Sequence, residues 1–123
     1  IVSMSSAAGK HGYAFRTPYS AAKFGVIGLT QSLAKELGPD NIRVNAILPG
    51  IVKGPRMEKV IRDRAQATGV SFDEMERDYL DKISLRRMVT MQDVAATAAF
   101  LLSDAGANLS GQSLAVDGNV ETL

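Results

Sequence analysis

The chain has 123 residues, with 14 basic and 13 acidic side chains, a net charge of +1, one histidine and no cysteine. Disulfides, thiolate metal sites and multi-histidine metal sites within it are excluded, and the interspersed charge gives no face for nucleic acid. No apolar run approaches the roughly 20 residues that cross a bilayer and no signal-peptide pattern opens the chain, so no membrane contact is expected and the cytoplasm is the expected location.

Ile1 to Met4 is apolar and β-branched at its first two positions, which predicts a short strand buried on both faces. It starts without a preceding turn and without an initiator methionine, so further chain upstream is expected. Ser5 to Arg16 reads as a loop of small residues punctuated by Gly9 and Gly12. Thr17 then caps a predicted helix, and Pro18 fits its first position, where an N–H would have no intrahelical partner. The helix runs to about Leu37 and stops at Gly38-Pro39. Ala22, Val26, Leu29 and Leu33 follow helical spacing and predict its core-facing stripe. Gly25 and Gly28, at ~1 kcal/mol each relative to alanine in a helix interior, suggest the close approach of another backbone or helix.

Ile42, Val44, Ala46 and Leu48 alternate with Arg43 and Asn45 in a second strand that ends at Pro49-Gly50, where Asn45 reads as a partner for backbone groups. Pro55 opens a helix with Met57, Val60, Ile61 and Ala65 on one face, closed by Gly69. Ser71 and Glu74 form a capping-box pattern ahead of Phe72, Met75, Tyr79 and Ile83. The stretch from about 51 to 90 reads as a lid. Thr90 and Asp93 start another helix through Val94, Ala98, Leu101 and Leu102 toward Gly106, and Ser113 to Val116 is a last short strand before Asp117-Gly118. The whole is one domain at most. Such alternation implies an α/β fold with a parallel sheet and right-handed crossovers. The site of such a sheet lies outside the carboxyl ends of its strands, where Ser5-Ser6, Tyr19 and Pro49-Gly50 all fall.

Tyr19 and Lys23 are one helical turn apart, so a phenol and an ammonium project side by side. Bringing a phenol from its usual pKa of about 10 to ~7 takes about 4 kcal/mol. A unit charge ~4 Å away at an effective dielectric of ~20 supplies about that much before desolvation opposes it. A second positive charge, such as an oxidised nicotinamide, would make the shift comfortable, so the pair points to a cationic cofactor.

Four co-linear blocks carry a resemblance: Ile-Val-Ser-Met-Ser-Ser-Ala-Ala-Gly, a Tyr-x-x-x-Lys helix thirteen residues after Ser6, Ile-Arg-Val-Asn-Ala-Ile-Leu-Pro-Gly, and Gly-Gln-Ser-Leu-Ala-Val-Asp-Gly. Together they resemble the carboxyl-terminal half of the short-chain dehydrogenase/reductase family. The resemblance implies a Rossmann-type, doubly wound parallel sheet of which only the carboxyl-terminal half is present. It also implies reversible hydride transfer between NAD or NADP and a small-molecule alcohol or carbonyl substrate. By position, Tyr19 resembles the general acid/base and, with Lys23, one of the residues at the cofactor. Lys23 resembles the residue that eases ionisation of the phenol and binds the nicotinamide ribose, and Ser6 the hydroxyl that holds the substrate oxygen. Pro49, Gly50, Ile51 and Val52 resemble the segment that meets the nicotinamide carboxamide. Gly54 stands where the family often has threonine, which leaves cofactor contact there weakened or confined to the backbone.

In the family, the glycine-rich phosphate loop, the selector between NAD and NADP and a fourth catalytic residue all precede the position of Ile1. The chain alone is therefore expected to bind dinucleotide poorly and to be inactive. The resemblance also implies a homotetramer or homodimer that packs through the Tyr19 and Thr90 helices. Two other readings are a non-catalytic nucleotide-binding sensor or scaffold of the same fold, and an inactive fragment; the joint presence of Ser6, Tyr19 and Lys23 argues against the sensor. His11, Tyr13 and Phe15 read as loop residues near the site. Arg62, Arg64, Arg77, Arg86 and Arg87 alternate with acidic residues and read as a solvated surface, while Met57, Met75 and Met88 suggest a flexible apolar pocket lining.

Overall fold

Val44 to Leu48 are all buried, and because successive strand side chains point to opposite faces, both faces of this segment are covered. It forms the middle of the sheet. A computed structural model describes residues 1–122, in the order β1 (Val2–Met4), α1 (Thr17–Leu37), β2 (Asn45–Pro49), α2 (Pro55–Thr68), α3 (Phe72–Leu80), α4 (Met91–Leu102) and β3 (Ser113–Val116). The strands lie in the order β1-β2-β3 and all run parallel, with Val2 opposite Asn45 and Ala46 opposite Ser113. The expected succession of strands and helices and the parallel α/β sheet are both present.

β2 is shorter than the expected strand from Ile42, and it is buried throughout rather than on alternate residues. The reason lies in Arg43, which turns its guanidinium to the end of α4. There Nη1 donates to the carbonyls of Leu101 at 2.6 Å and Gly106 at 2.9 Å, satisfying oxygens that a helix terminus leaves unpaired. Asn45 does what its position suggested: Nδ2 donates to the Leu109 carbonyl at 2.8 Å and Oδ1 accepts from the Gln112 N–H at 3.0 Å. β1 departs from expectation. It is not buried on both faces, and Met4 is 47% exposed, because among the described residues β1 pairs with β2 alone and forms the sheet edge.

α1 begins at Thr17 with Arg16, not Thr17, in the cap position, and Pro18 sits in its first turn. Its packed face is rotated from the expected stripe. Ala22 and Leu29 are exposed, while Val26, Ile27, Leu33 and Ala34 are half-buried and Ser20 and Thr30 fully buried. Thr30 can face inward because its hydroxyl donates to the Val26 carbonyl one turn back at 2.8 Å. Gly25 and Gly28 meet no other part of the chain, with nothing within 4 Å of a Cβ added at either.

α2 and α3 pack around Ile61, Ala65 and Met75, with Met57, Phe72, Tyr79 and Met88 against them. Gly69, at φ 73°, ends α2 in the left-handed conformation that glycine tolerates. Both expected capping boxes form, Ser71 with Glu74 and Thr90 with Asp93. Hydrogen bonds from the backbone N–H and hydroxyl of each cap residue hold the Glu74 and Asp93 carboxyls below the usual carboxylate range. The segment joining β2 to α2 is tied to the stretch before α4, since Val89 N–H donates to the Ile51 carbonyl at 2.9 Å and Lys53 N–H to that of Val89 at 2.7 Å.

Candidate active site

Past the carboxyl end of β1 the two serines part. Ser6 is extended and caps a 3-10 turn, Ala7–Gly9, its hydroxyl oxygen accepting from Ala8 N–H at 3.2 Å. Ser5 is buried and donates its hydroxyl to the Lys23 carbonyl at 2.7 Å. The turn therefore lies directly on α1. At Gly9 the approach is so close that a Cβ would stand 2.4 Å from Ser5 Oγ and 2.8 Å from the Lys23 carbonyl oxygen. Two further contacts fix the register: Tyr13 N–H donates to Ser20 Oγ at 3.2 Å, and Lys23 Nζ to the Met4 carbonyl at 3.1 Å.

This docking brings Tyr19 and Ser6 to the same cleft, of about 420 Å³, which Ala7 and Ala8 also line. Lys23 stands behind Tyr19 rather than on the cleft wall, its Nζ 5.7 Å from the phenol ring centroid. Gly50, Ile51 and Val52 face the pair from the carboxyl end of β2. Gly50 N–H donates to the Val116 carbonyl at 3.0 Å, and a Cβ on Gly50 would lie 2.6 Å from that of Asp117, so only glycine allows the chain to leave the strand there. Pro49 remains within β2 opposite Val116, off the cleft.

Four other segments complete the walls. Tyr13 and Arg16 come from the loop before α1, Arg56, Met57 and Val60 from α2, and Tyr79, Lys82 and Thr122 from the far side. Of the three methionines expected in the lining only Met57 is there; Met75 is in the α2–α3 core and Met88 packs against that core. His11 and Phe15 are absent from the walls, and Phe15 is fully exposed at φ 62°. Sequence reading passed over Arg16, Arg56 and Lys82. Arg16 had a signal, lying three residues before Tyr19 at the helix start; the other two reach the cleft only through tertiary packing. Among the described residues no group of His, Asp or Glu is disposed to hold a metal ion, and no helix is long and apolar enough to cross a membrane.

A parallel sheet with a Ser, Tyr and Lys grouped past its strand ends is the arrangement of a known class. Residues 1–120 match the family model described as enoyl-(acyl carrier protein) reductase, and the chain belongs to the short-chain dehydrogenase/reductase family, with its Rossmann-type fold. It is similar to the 3-oxoacyl-(acyl-carrier-protein) reductase of Chlamydia muridarum, 38% identical over 120 residues, which are 98% of this chain and 44% of that protein. Among solved structures, sorbitol-6-phosphate 2-dehydrogenase from Erwinia amylovora superposes with a TM-score of 0.87 at 39% identity, covering 96% of this chain and 46% of that one. A variant actinorhodin polyketide ketoreductase solved with NADPH gives 0.88 at 33% identity, covering 100% and 47%. The chain spans about half the length of the relatives it matches.

The contact at Gly9 makes a specific prediction. Gly9→Ala should lower the urea midpoint by the equivalent of about 1–3 kcal/mol, as overpacking against fixed backbone does. Gly12→Ala, where nothing lies within 4 Å, should stay within about 0.5 kcal/mol of the parent. Equal effects of the two would mean that the turn does not rest on α1.

Proposed function

We propose that the chain is the catalytic and substrate-lid part, the carboxyl-terminal half, of a Rossmann-type oxidoreductase that moves a hydride between NAD or NADP and an alcohol or carbonyl substrate, with residues from about 51 to 90 as the lid. The observation that carries this reading is the placement of the Ser6 and Tyr19 side chains on one cleft, with the Lys23 ammonium behind the phenol. The NADPH in the structurally similar ketoreductase supports the cofactor.

The residues present fit a nicotinamide nucleotide. An ammonium has three donors. One goes to the Met4 carbonyl, and two remain for hydroxyls such as those of a ribose. Gly50, Ile51 and Val52 supply the wall across the cleft from Tyr19, and together with Pro49 they are the segment proposed to meet the carboxamide. Bound there, the nicotinamide supplies the hydride in reduction and takes it up in oxidation.

The protein's own share is proton transfer and orientation. Ser6 Oγ already accepts a hydrogen bond from Ala8 N–H, which leaves its hydroxyl proton free to donate to the substrate oxygen. The Tyr19 phenol, reaching the same oxygen, gives it a proton in the reductive direction and takes one in the oxidative. Lys23 places its ammonium behind the phenol, 5.7 Å from the ring centroid. In the intact enzyme, Tyr19→Phe should lower kcat by about 10²–10⁴-fold while leaving the affinity for NADH or NADPH, read by fluorescence titration, unchanged. Retained turnover would remove the phenol from the chemistry.

The partner in assembly is proposed to be a second copy of the chain, in a homodimer or homotetramer. Supporting this, α1 presents Phe24 and Leu29 to solvent, 46% and 56% exposed, on either side of the open Gly25 and Gly28. Sedimentation of the intact enzyme should give two or four copies at micromolar concentration, and a monomer there would contradict the assembly.

A further inference from the structure

The cleft that holds Ser6 and Tyr19 carries charge of one sign. Arg16 and Arg56 are exposed on its rim and Lys82 is half-buried, and no aspartate or glutamate lines it. Elsewhere the signs are mixed, and two ion pairs form: Lys59 binds Asp63 at 2.5 Å and Arg86 lies 3.9 Å from Asp81. Among the described residues the three cleft cations make no ion pair. Aromatic rings hold two of them instead. The Arg16 guanidinium lies 5.4 Å from the Tyr13 ring centroid, and Lys82 Nζ 5.3 Å from that of Tyr79, which keeps the charge in place without neutralising it.

The three cations come from three segments: the loop before α1, the first turn of α2 and the turn after α3. Neighbourhood in sequence therefore does not explain the cluster. Gathering like charges at a concave surface opposes folding through repulsion and raises the local concentration of anions. Guanidinium groups also match the paired oxygens of carboxylate and phosphate. The same cleft also carries apolar side chains, Ile51, Val52, Met57 and Val60, alongside the Ser6–Tyr19 pair. A lining that joins cations, apolar groups and the pair suits a substrate with a charged group and an uncharged reacting end.

We infer that the substrate carries a phosphate or carboxylate group, received by Arg16, Arg56 and Lys82, while its carbonyl or alcohol carbon lies between Ser6 and Tyr19. The reacting end of this inference rests on the oxidoreductase reading; the anion seat does not. The test titrates inorganic phosphate and acetate into the intact enzyme by calorimetry. One of them should bind, and Arg16→Gln and Arg56→Gln should each weaken it about fivefold. Arg62→Gln, an exposed cation of α2 off the cleft, should leave it unchanged, and so should saturating NADH or NADPH.

Competition by the dinucleotide would assign the cations to the cofactor's own phosphates and overturn the inference. Equal weakening by Arg62→Gln, or no binding of either ion, would do the same. The two readings fail separately. Turnover that survives Tyr19→Phe sinks the oxidoreductase reading and leaves the anion titrations standing, whereas turnover that depends on Tyr19 without any anion seat sinks only the present inference.

Discussion

The contact between the Ala7–Gly9 turn and α1 at Lys23 is the constraint on which the candidate site depends. A hydroxyl from one side and a phenol from the other can share a substrate oxygen only if the loop after β1 and the first turns of α1 hold a fixed distance. Ser5, Gly9 and Lys23 set it. Ser5 donates to the Lys23 carbonyl, Lys23 Nζ returns a bond to the Met4 carbonyl, and Gly9 admits the helix backbone where any side chain would collide. Lys23 thus does two things at once, locking the helix to the strand end through its backbone and side chain while placing a positive charge behind Tyr19. Tight packing of this kind transmits small displacements, since interiors have little free volume to absorb them.

The sheet supplies the rest of the frame. With β2 buried on both faces and its neighbours parallel to it, the carboxyl ends of all three strands open on one edge, where binding sites of such sheets lie. Gly50 leaves β2 against Asp117, just past β3, so the wall opposite Tyr19 is held by the last strand as well as by its own. The α2–α3 unit, tied in by Val89 and Ile51, contributes Arg56, Met57, Val60 and Tyr79 to the cleft walls. Under the proposed function the reacting groups belong to the strand ends and α1, while these four side chains of α2 and α3 line the same cleft.

Much of this was legible in the sequence because local rules govern it. Capping boxes at Ser71 and Thr90, the stop at Gly69 and the alternation of strands and helices depend on neighbours within a few residues, and all appear as read. Ser6 lines the cleft while its neighbour Ser5 is buried, as alternation of side chains along extended backbone allows. Features set by distant partners were not legible. The packed face of α1 includes Ser20 and Thr30, which a hydropathy pattern assigns to solvent, and Arg43 leaves the strand to serve carbonyls about sixty residues on. Two of the cleft cations were hidden for the same reason: Arg56 and Lys82 are 26 positions apart in sequence and line one cleft only once α2 and α3 have packed.

The proposed convergence of Ser6 and Tyr19 on one reacting oxygen is open to a direct measurement, a double-mutant cycle on kcat in the intact protein with Ser6→Ala, Tyr19→Phe and the pair. Groups that act together on a single atom lose their effects non-additively. The double variant should therefore be little slower than the worse single variant. A double variant slowed by the full product of the two separate losses would show the hydroxyl and the phenol working independently, and would contradict the shared site.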